Sequence, residues 1–215
     1  MSMKENWDTW ASESPYFAVI TDPEYKNGVN DNFWRSGFHC AAGIEKELNN
    51  VGVKLSDCTV AELGVGVGRV GSQVSKLCRE YTGIDVSPKM MEVCRKHHPH
   101  LRLQEVICDF PEVDVFYSII TLQHCKHEDI RVLIRRMLAA SRRATIFQLP
   151  DIPSTVKMGE CEPPYMHMYG LPVGEVISLA QEIGFKPYSI RKEYSAGPKY
   201  DSYTYVFMPE NRIDT

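Results

Sequence analysis

The stretch AELGVGVGRVG, residues 61–71, constrains the fold more than any other, because an apolar run there meets an acid and then a train of glycines. Glu62 is followed by Gly64, Gly66, Gly68 and Gly71. Glycine adopts positive φ without a steric penalty, so this pattern marks a strand, a tight turn and the start of a helix. A chain built round such a unit is expected to carry parallel strands, which need crossover connections between them.

The following sequence repeats the alternation. CTVAEL (58–63) reads as a strand, and after the glycines a helix is expected with Val70, Val74, Leu77 and Cys78 on one stripe. YTGID (81–85) is a second strand, and Ser87 followed by Pro88 starts a helix running to about Lys96. LRLQEVI (101–107), VDVFYSIIT (113–121) and RATIFQL (143–149) supply strands three to five. A helix striped by Ile130, Leu133, Ile134, Met137 and Leu138 precedes the fifth. The expected class is α/β, a doubly wound sheet with helices on both faces.

The ends differ in character. Residues 1–32 carry Trp7, Trp10, Tyr16, Phe17 and Tyr25 without a regular period and read as an irregular arm or short helix folded over a domain spanning 33–215. From Asp31 or Asn32 a helix runs through Asn50, with Trp34, Ala41, Ile44 and Leu48 near the 3.6 period. Residues 150–172, rich in proline, have no period, and an insert this long inside a compact domain is usually functional. After a helix stopped by Gly184, KPYSIRKEY (186–194) and SYTYVFM (202–208) are joined by a short turn-rich link, so the last two strands should be antiparallel.

Composition excludes several classes. The formal net charge of −4 argues against phosphate-driven nucleic-acid binding, and Arg131, Arg135, Arg136, Arg142 and Arg143 read as a solvated helix face. Seven scattered cysteines, Cys40, Cys58, Cys78, Cys94, Cys108, Cys125 and Cys161, form no C-x-x-C pair and suit a reducing cytoplasm. MSMKENWDTW has no apolar signal core, and no stretch approaches the length that spans a bilayer. A cytoplasmic chain without membrane or nucleic-acid partner, monomer or homodimer, is expected.

Two loop patterns overlap in the glycine train. From Gly66 the sequence G-V-G-R-V-G matches the dinucleotide fingerprint G-x-G-x-x-G, which keeps an NAD-dependent oxidoreductase open as an alternative. From Glu62 the sequence E-L-G-V-G-V-G resembles motif I of the class I S-adenosylmethionine-dependent methyltransferases. Physical chemistry favours the second. A carboxylate two residues before the glycines opposes a pyrophosphate, whereas the methyl donor carries an ammonium and a sulfonium and no phosphate. Asp109-Phe110 after strand three, LQH after strand four and the closing hairpin add to the resemblance, which covers roughly residues 33–208 and points to the small-molecule branch.

The resemblance implies a sheet of order 3-2-1-4-5-7-6 with strand seven antiparallel, and S-adenosyl-L-methionine as cofactor, with S-adenosyl-L-homocysteine as product. Gly64 and Gly66 would admit the methionine moiety and Gly68 the close packing of helix on strand, while Glu62 would anchor the loop or the ammonium group. Asp85 would bind the ribose hydroxyls, Val86 would pack on adenine, Asp109 and Phe110 would define the adenine end, and a carbonyl near Leu122 would face the amino group. His124 is the candidate general base, and His127 reads as a helix first-turn residue. Trp10, Tyr16, Phe33 and Trp34 from the arm side, and Tyr165, His167 and Tyr169 from the insert, are candidate walls of the substrate pocket. No metal is expected, and His97, His98 and His100 read as surface. The expected activity is methyl transfer to a small molecule, at oxygen first and nitrogen second; a non-catalytic cofactor-binding scaffold is the other alternative.

Overall fold

The computed structural model describes residues 1–106, 109–156, 164–194 and 200–210. Seven strands form one sheet of order β3-β2-β1-β4-β5-β7-β6. They are β1 (Thr59–Leu63), β2 (Glu80–Asp85), β3 (Arg102–Glu105), β4 (Val113–Ser118), β5 (Ser141–Pro150), β6 (Phe185–Glu193) and β7 (Ser202–Pro209). β1 with β2, β2 with β3, and β4 with β5 run parallel, while β7 is antiparallel to both β5 and β6. The doubly wound order and the reversed last strand expected from the sequence are what the chain adopts.

The helices are α1 (Met3–Glu13), α2 (Pro15–Val19), α3 (Asp31–Asn50), α4 (Gly71–Val74), α5 (Pro88–His97), α6 (His127–Ala139) and α7 (Val173–Gln181). The chain divides into two compact units. The first holds Met1–Asp109 together with Tyr165, and the second holds Phe110 onward apart from that segment. The arm falls within the first unit.

In the first unit the apolar positions read from the sequence point inward: Ala41, Ile44 and Leu48 on α3, Val60 and Ala61 on β1, Ile84 on β2 and Met91 on α5 are all buried. In the second, Ile130, Ile134, Met137 and Leu138 bury the α6 stripe. Phe147 on β5 sits opposite Tyr205 on β7, and the two rings stack with Phe207 in a column across the antiparallel pair.

The arm takes the helical of its two expected forms, and two other elements differ from expectation. The arm is helical, because Ser2 and Glu5 close a capping box on α1, in which the Ser2 hydroxyl accepts from the Glu5 N–H while the Glu5 carboxylate accepts from the Ser2 N–H. Regular helix after the glycine loop lasts only from Gly71 to Val74. There the Ser72 and Ser75 hydroxyls bond the carbonyls of Arg69 and Ser72. β4 stops at Ser118 instead of running to Thr121, and Ile120 adopts φ 57°, an uncommon conformation for a β-branched residue. Of the arginines read as one helix face, Arg131, Arg135 and Arg142 form surface ion pairs, and Arg142 and Arg143 lie on β5 rather than on a helix. Arg131 pairs with Glu175 at 2.6 Å, Arg135 with Glu182 at 2.7 Å, Arg142 lies 3.5 Å from Asp114, and Arg136 covers the Phe110 ring.

Candidate active site

In the first unit the carboxyl ends of β1 and β2 build a cradle. Gly64, Gly66 and Gly68 have φ of 83°, 53° and 85°, so each of the three uses the freedom that only glycine has without strain. The loop is pinned to β2 by the Gly64 and Val65 N–H groups, both bonding the Ile84 carbonyl, at 2.7 and 3.1 Å. Asp85 ends β2 beneath it. One carboxylate oxygen accepts from the Gly66 N–H at 2.8 Å and the other from the Ser87 N–H at 2.9 Å. Burial pushes the Asp85 carboxyl up, against the lowering effect of the N–H groups of Ser87, Gly66 and Val86. Val86 is half-buried next to it.

Glu62, one residue before the end of β1, is 3% exposed and accepts a hydrogen bond from the Tyr81 hydroxyl. Gly71 is not incidental to this arrangement. A Cβ there would collide with the Tyr81 hydroxyl and lie 2.6 Å from Glu62 Oε2. The Cys94 thiol is pushed up to about 12 by burial, with the Glu62 and Asp85 carboxylates adding to the effect, so it stays a neutral packing group.

Two residues that sequence reasoning passed over hold α3 to this loop. Gly37 lets α3 press against the Arg69 carbonyl, and Arg69, itself buried, donates to Ser36 Oγ at 3.0 Å. The arm also meets the cradle. Asp8 accepts from the Ser87 hydroxyl at 2.6 Å, and Val19 lies 3.5 Å from where a Gly66 Cβ would be. Asn6 bonds both backbone groups of Tyr165, at 2.7 and 2.9 Å, and the Trp10 indole N–H reaches the same carbonyl at 3.5 Å.

The arm-side aromatics form a packed cluster. Phe33 is fully buried, met edge-on by Tyr16, Tyr25 and Trp34, so it serves the core and not a pocket wall. The Tyr16 hydroxyl bonds His97 Nε2 at 2.6 Å, and Trp34 packs on His97 and His98. His98 is not a surface group: its Nε2 is buried, its ring lies against Gly68, and burial pulls it down to about 4.

In the second unit the turn after β4 carries the other candidates. His124 ends a 3-10 turn, Leu122–His124, with Nδ1 3.1 Å from the His167 carbonyl and Nε2 3.3 Å from Gln123 Nε2. A carbonyl only accepts, so Nδ1 carries the proton in that contact. Burial holds His124 below the usual histidine range, which favours the neutral ring. The candidate base is thus engaged at both ring nitrogens. Tyr169 donates its N–H to the Gln123 carbonyl at 2.6 Å, and its ring packs between His127 and His167. His127 is the first residue of α6, as expected.

The adenine-end and amino-group candidates are placed otherwise. Asp109 is exposed, and its carbonyl accepts from Gln104 at 2.7 Å. The Phe110 ring is covered by the Arg136 guanidinium at 3.9 Å and packs on Phe116 at 5.1 Å. The Leu122 carbonyl accepts from the Cys125 N–H at 3.0 Å. Cys108 and Cys161 lie outside the described residues. Among the described residues no group of three or more His, Cys, Asp or Glu could hold a metal ion, and no helix is long and apolar enough to cross a membrane.

A family model described as a methyltransferase domain matches residues 60–143. No curated protein matches the chain by sequence. Among solved structures, magnesium protoporphyrin IX methyltransferase from Synechocystis with bound S-adenosylhomocysteine is similar at a TM-score of 0.70 and 14% identity, over 96% of this chain and 97% of that one. The CcbJ methyltransferase from Streptomyces caelestis is similar at 0.66 and 14%, over 97% and 99%. CalS10, an amino pentose methyltransferase from Micromonospora echinaspora, is similar at 0.61 and 10%, over 80% and 91%. The matched segment contains the glycine loop, Asp85 and the post-β4 turn, and the likeness to solved methyltransferases runs over nearly the whole chain, so this chain has the class I methyltransferase fold.

Proposed function

We propose that this protein transfers the methyl group of S-adenosylmethionine to a small-molecule acceptor. The observation that carries the reading is the buried carboxylate of Glu62 at a glycine loop followed by a single turn of helix, since a strand-end acid such as Asp85 would suit the ribose of either ligand. A dinucleotide brings a pyrophosphate, which is stabilised by the aligned N–H groups and dipole of a helix N-terminus and opposed by nearby carboxylates. A donor with an ammonium and a sulfonium meets the opposite condition. Asp85 suits the ribose hydroxyls, Val86 the adenine, and Gly64 and Gly66 the methionine chain. Asp109 and Phe110 remain candidates for the adenine end only if Phe110 leaves its place under Arg136.

When bound, the donor supplies a methyl carbon on a positively charged sulfur that is already a good leaving group. The acceptor's lone pair forms the new bond to that carbon as the C–S bond breaks and its electron pair stays on sulfur. The chain's part is to orient the reactants and exclude water, which removes most of the entropic barrier to a two-body displacement. Trp10, Tyr16, Trp34 and Tyr165 in the first unit, and separately His167 and Tyr169 in the second, stay the candidate acceptor contacts. The similar structures include an amino pentose methyltransferase, which supports a small acceptor.

Oxygen is the first reading for the acceptor atom. Nitrogen is the second, favoured by the state of His124: with both its nitrogens engaged, an amine that attacks through a free lone pair fits better than a hydroxyl that needs a base. The test is transfer of a labelled methyl group to a panel of sugars, phenols, amino acids and amines. The expected result is a methylated small molecule with stoichiometric S-adenosylhomocysteine. Sustained inertness of donor-loaded protein would favour a scaffold instead.

A further inference from the structure

We propose that Tyr81 is a positioning residue for the methyl donor, acting through Glu62, and that Gly71 is glycine because this pair occupies the space beside it. The inference rests on the reading of the cradle as a donor site and deepens it. Strand register makes the contact possible. Glu62 on β1 lies opposite Gly83 on β2, so Tyr81, two residues earlier, is its diagonal neighbour on the same face of the sheet. Gly83 presents no side chain between them, and a long phenol spans the diagonal. The Tyr81 hydroxyl donates to Glu62 Oε2, and Tyr81 is 9% exposed, so the bond is made out of water.

A hydrogen bond from a buried hydroxyl to a carboxylate is charge-assisted and directional, and it fixes the carboxylate rotamer. Glu62 is thereby held at the foot of the loop that begins two residues later at Gly64. α4 starts at Gly71, and its first residue lies against the pair, where any side chain would displace the hydroxyl or the carboxylate. Strand β1, strand β2 and the start of α4 thus converge on one carboxylate. That carboxylate is the group proposed to anchor the loop or the donor's ammonium. Tyr81 sets its direction without touching the donor.

The test is a double-mutant cycle on donor affinity, measured by calorimetry with S-adenosylhomocysteine on the full chain, using Tyr81→Phe, Glu62→Gln and the double variant. The expected result is donor binding about tenfold weaker in Y81F with the acceptor KM unchanged, and less than about twofold further change when Y81F is added to E62Q. Equal effects of Y81F in both backgrounds, or a lowered melting temperature with unchanged donor affinity, would overturn the proposal by leaving Tyr81 a packing residue. If Y81F does not fold, Gly71→Ala carries the test in the same cycle, since a methyl group there displaces the Tyr81 hydroxyl. Donor binding about tenfold weaker in G71A, with less than about twofold further change in the E62Q background, sustains the proposal, and an equal loss in both backgrounds, or full affinity in G71A, overturns it. Absence of donor binding by the unaltered chain would instead overturn the donor-site reading itself.

Discussion

At the scale of single residues, the carboxylates and the histidine behave differently from one another. Asp85 is a buried acid whose two oxygens are each held by a backbone N–H, so its charge is directed before any ligand arrives. His124 is an imidazole whose burial favours the neutral ring. Its folded pKa lies below the unfolded value of 6.5, so its contribution to stability is fully present above pH 6.5 and is lost as pH falls below that. We expect His124→Ala to cost roughly 1–2 kcal/mol of stability, the order of one or two buried hydrogen bonds. Turnover should change by less than about threefold, with an unmoved pH profile and a smaller loss of stability on acidification. A tenfold fall in turnover with a flattened pH profile would restore His124 as the base. The residue type and its place after strand four were readable in the sequence. Its state was not, because that depends on the His167 carbonyl, 43 residues away.

At the scale of elements, the arm is the informative case. Its aromatic content marked it as a cover, but the cap that makes α1 a helix lay unread in S-M-K-E at residues 2–5. α1 is fastened at one end by Asn6 to the backbone of Tyr165 and along its side by Asp8 to Ser87. Asn6→Ala leaves a part-buried N–H and C=O of Tyr165 without this partner, a cost of roughly 1–3 kcal/mol that falls on the arm alone. Hydrogen exchange should therefore quicken in α1 while the amides of β1 and β2 keep their protection. A uniform loss of protection through the first unit would contradict a locally fastened arm. Helix α4 shows the opposite error. The apolar stripe through Cys78 was real as a pattern, but regular helix stops after one turn at Val74.

At the scale of the molecule, the strand order followed from the family resemblance. The alternation of strand and helix and the final hairpin were enough for the doubly wound class and the antiparallel last pair, because crossover connections and a short turn leave few alternatives. The glycine loop and Asp85 were legible for the same reason: positive φ and a strand-end acid are local requirements. What stayed hidden depends on register and distant contacts, as with Tyr81 beside Glu62, Arg69 under α3 and Phe110 beneath Arg136. The central claim is that the buried Glu62 carboxylate beside the glycine loop selects a cationic methyl donor over a dinucleotide. Calorimetric titration of the chain with S-adenosylmethionine and with NAD, repeated on Glu62→Gln, tests it most directly. The account predicts binding of S-adenosylmethionine and none of NAD in the unaltered chain, and donor binding at least about tenfold weaker in E62Q, as expected when a buried charged partner of the ligand is lost. Tight binding of NAD with none of S-adenosylmethionine would contradict it.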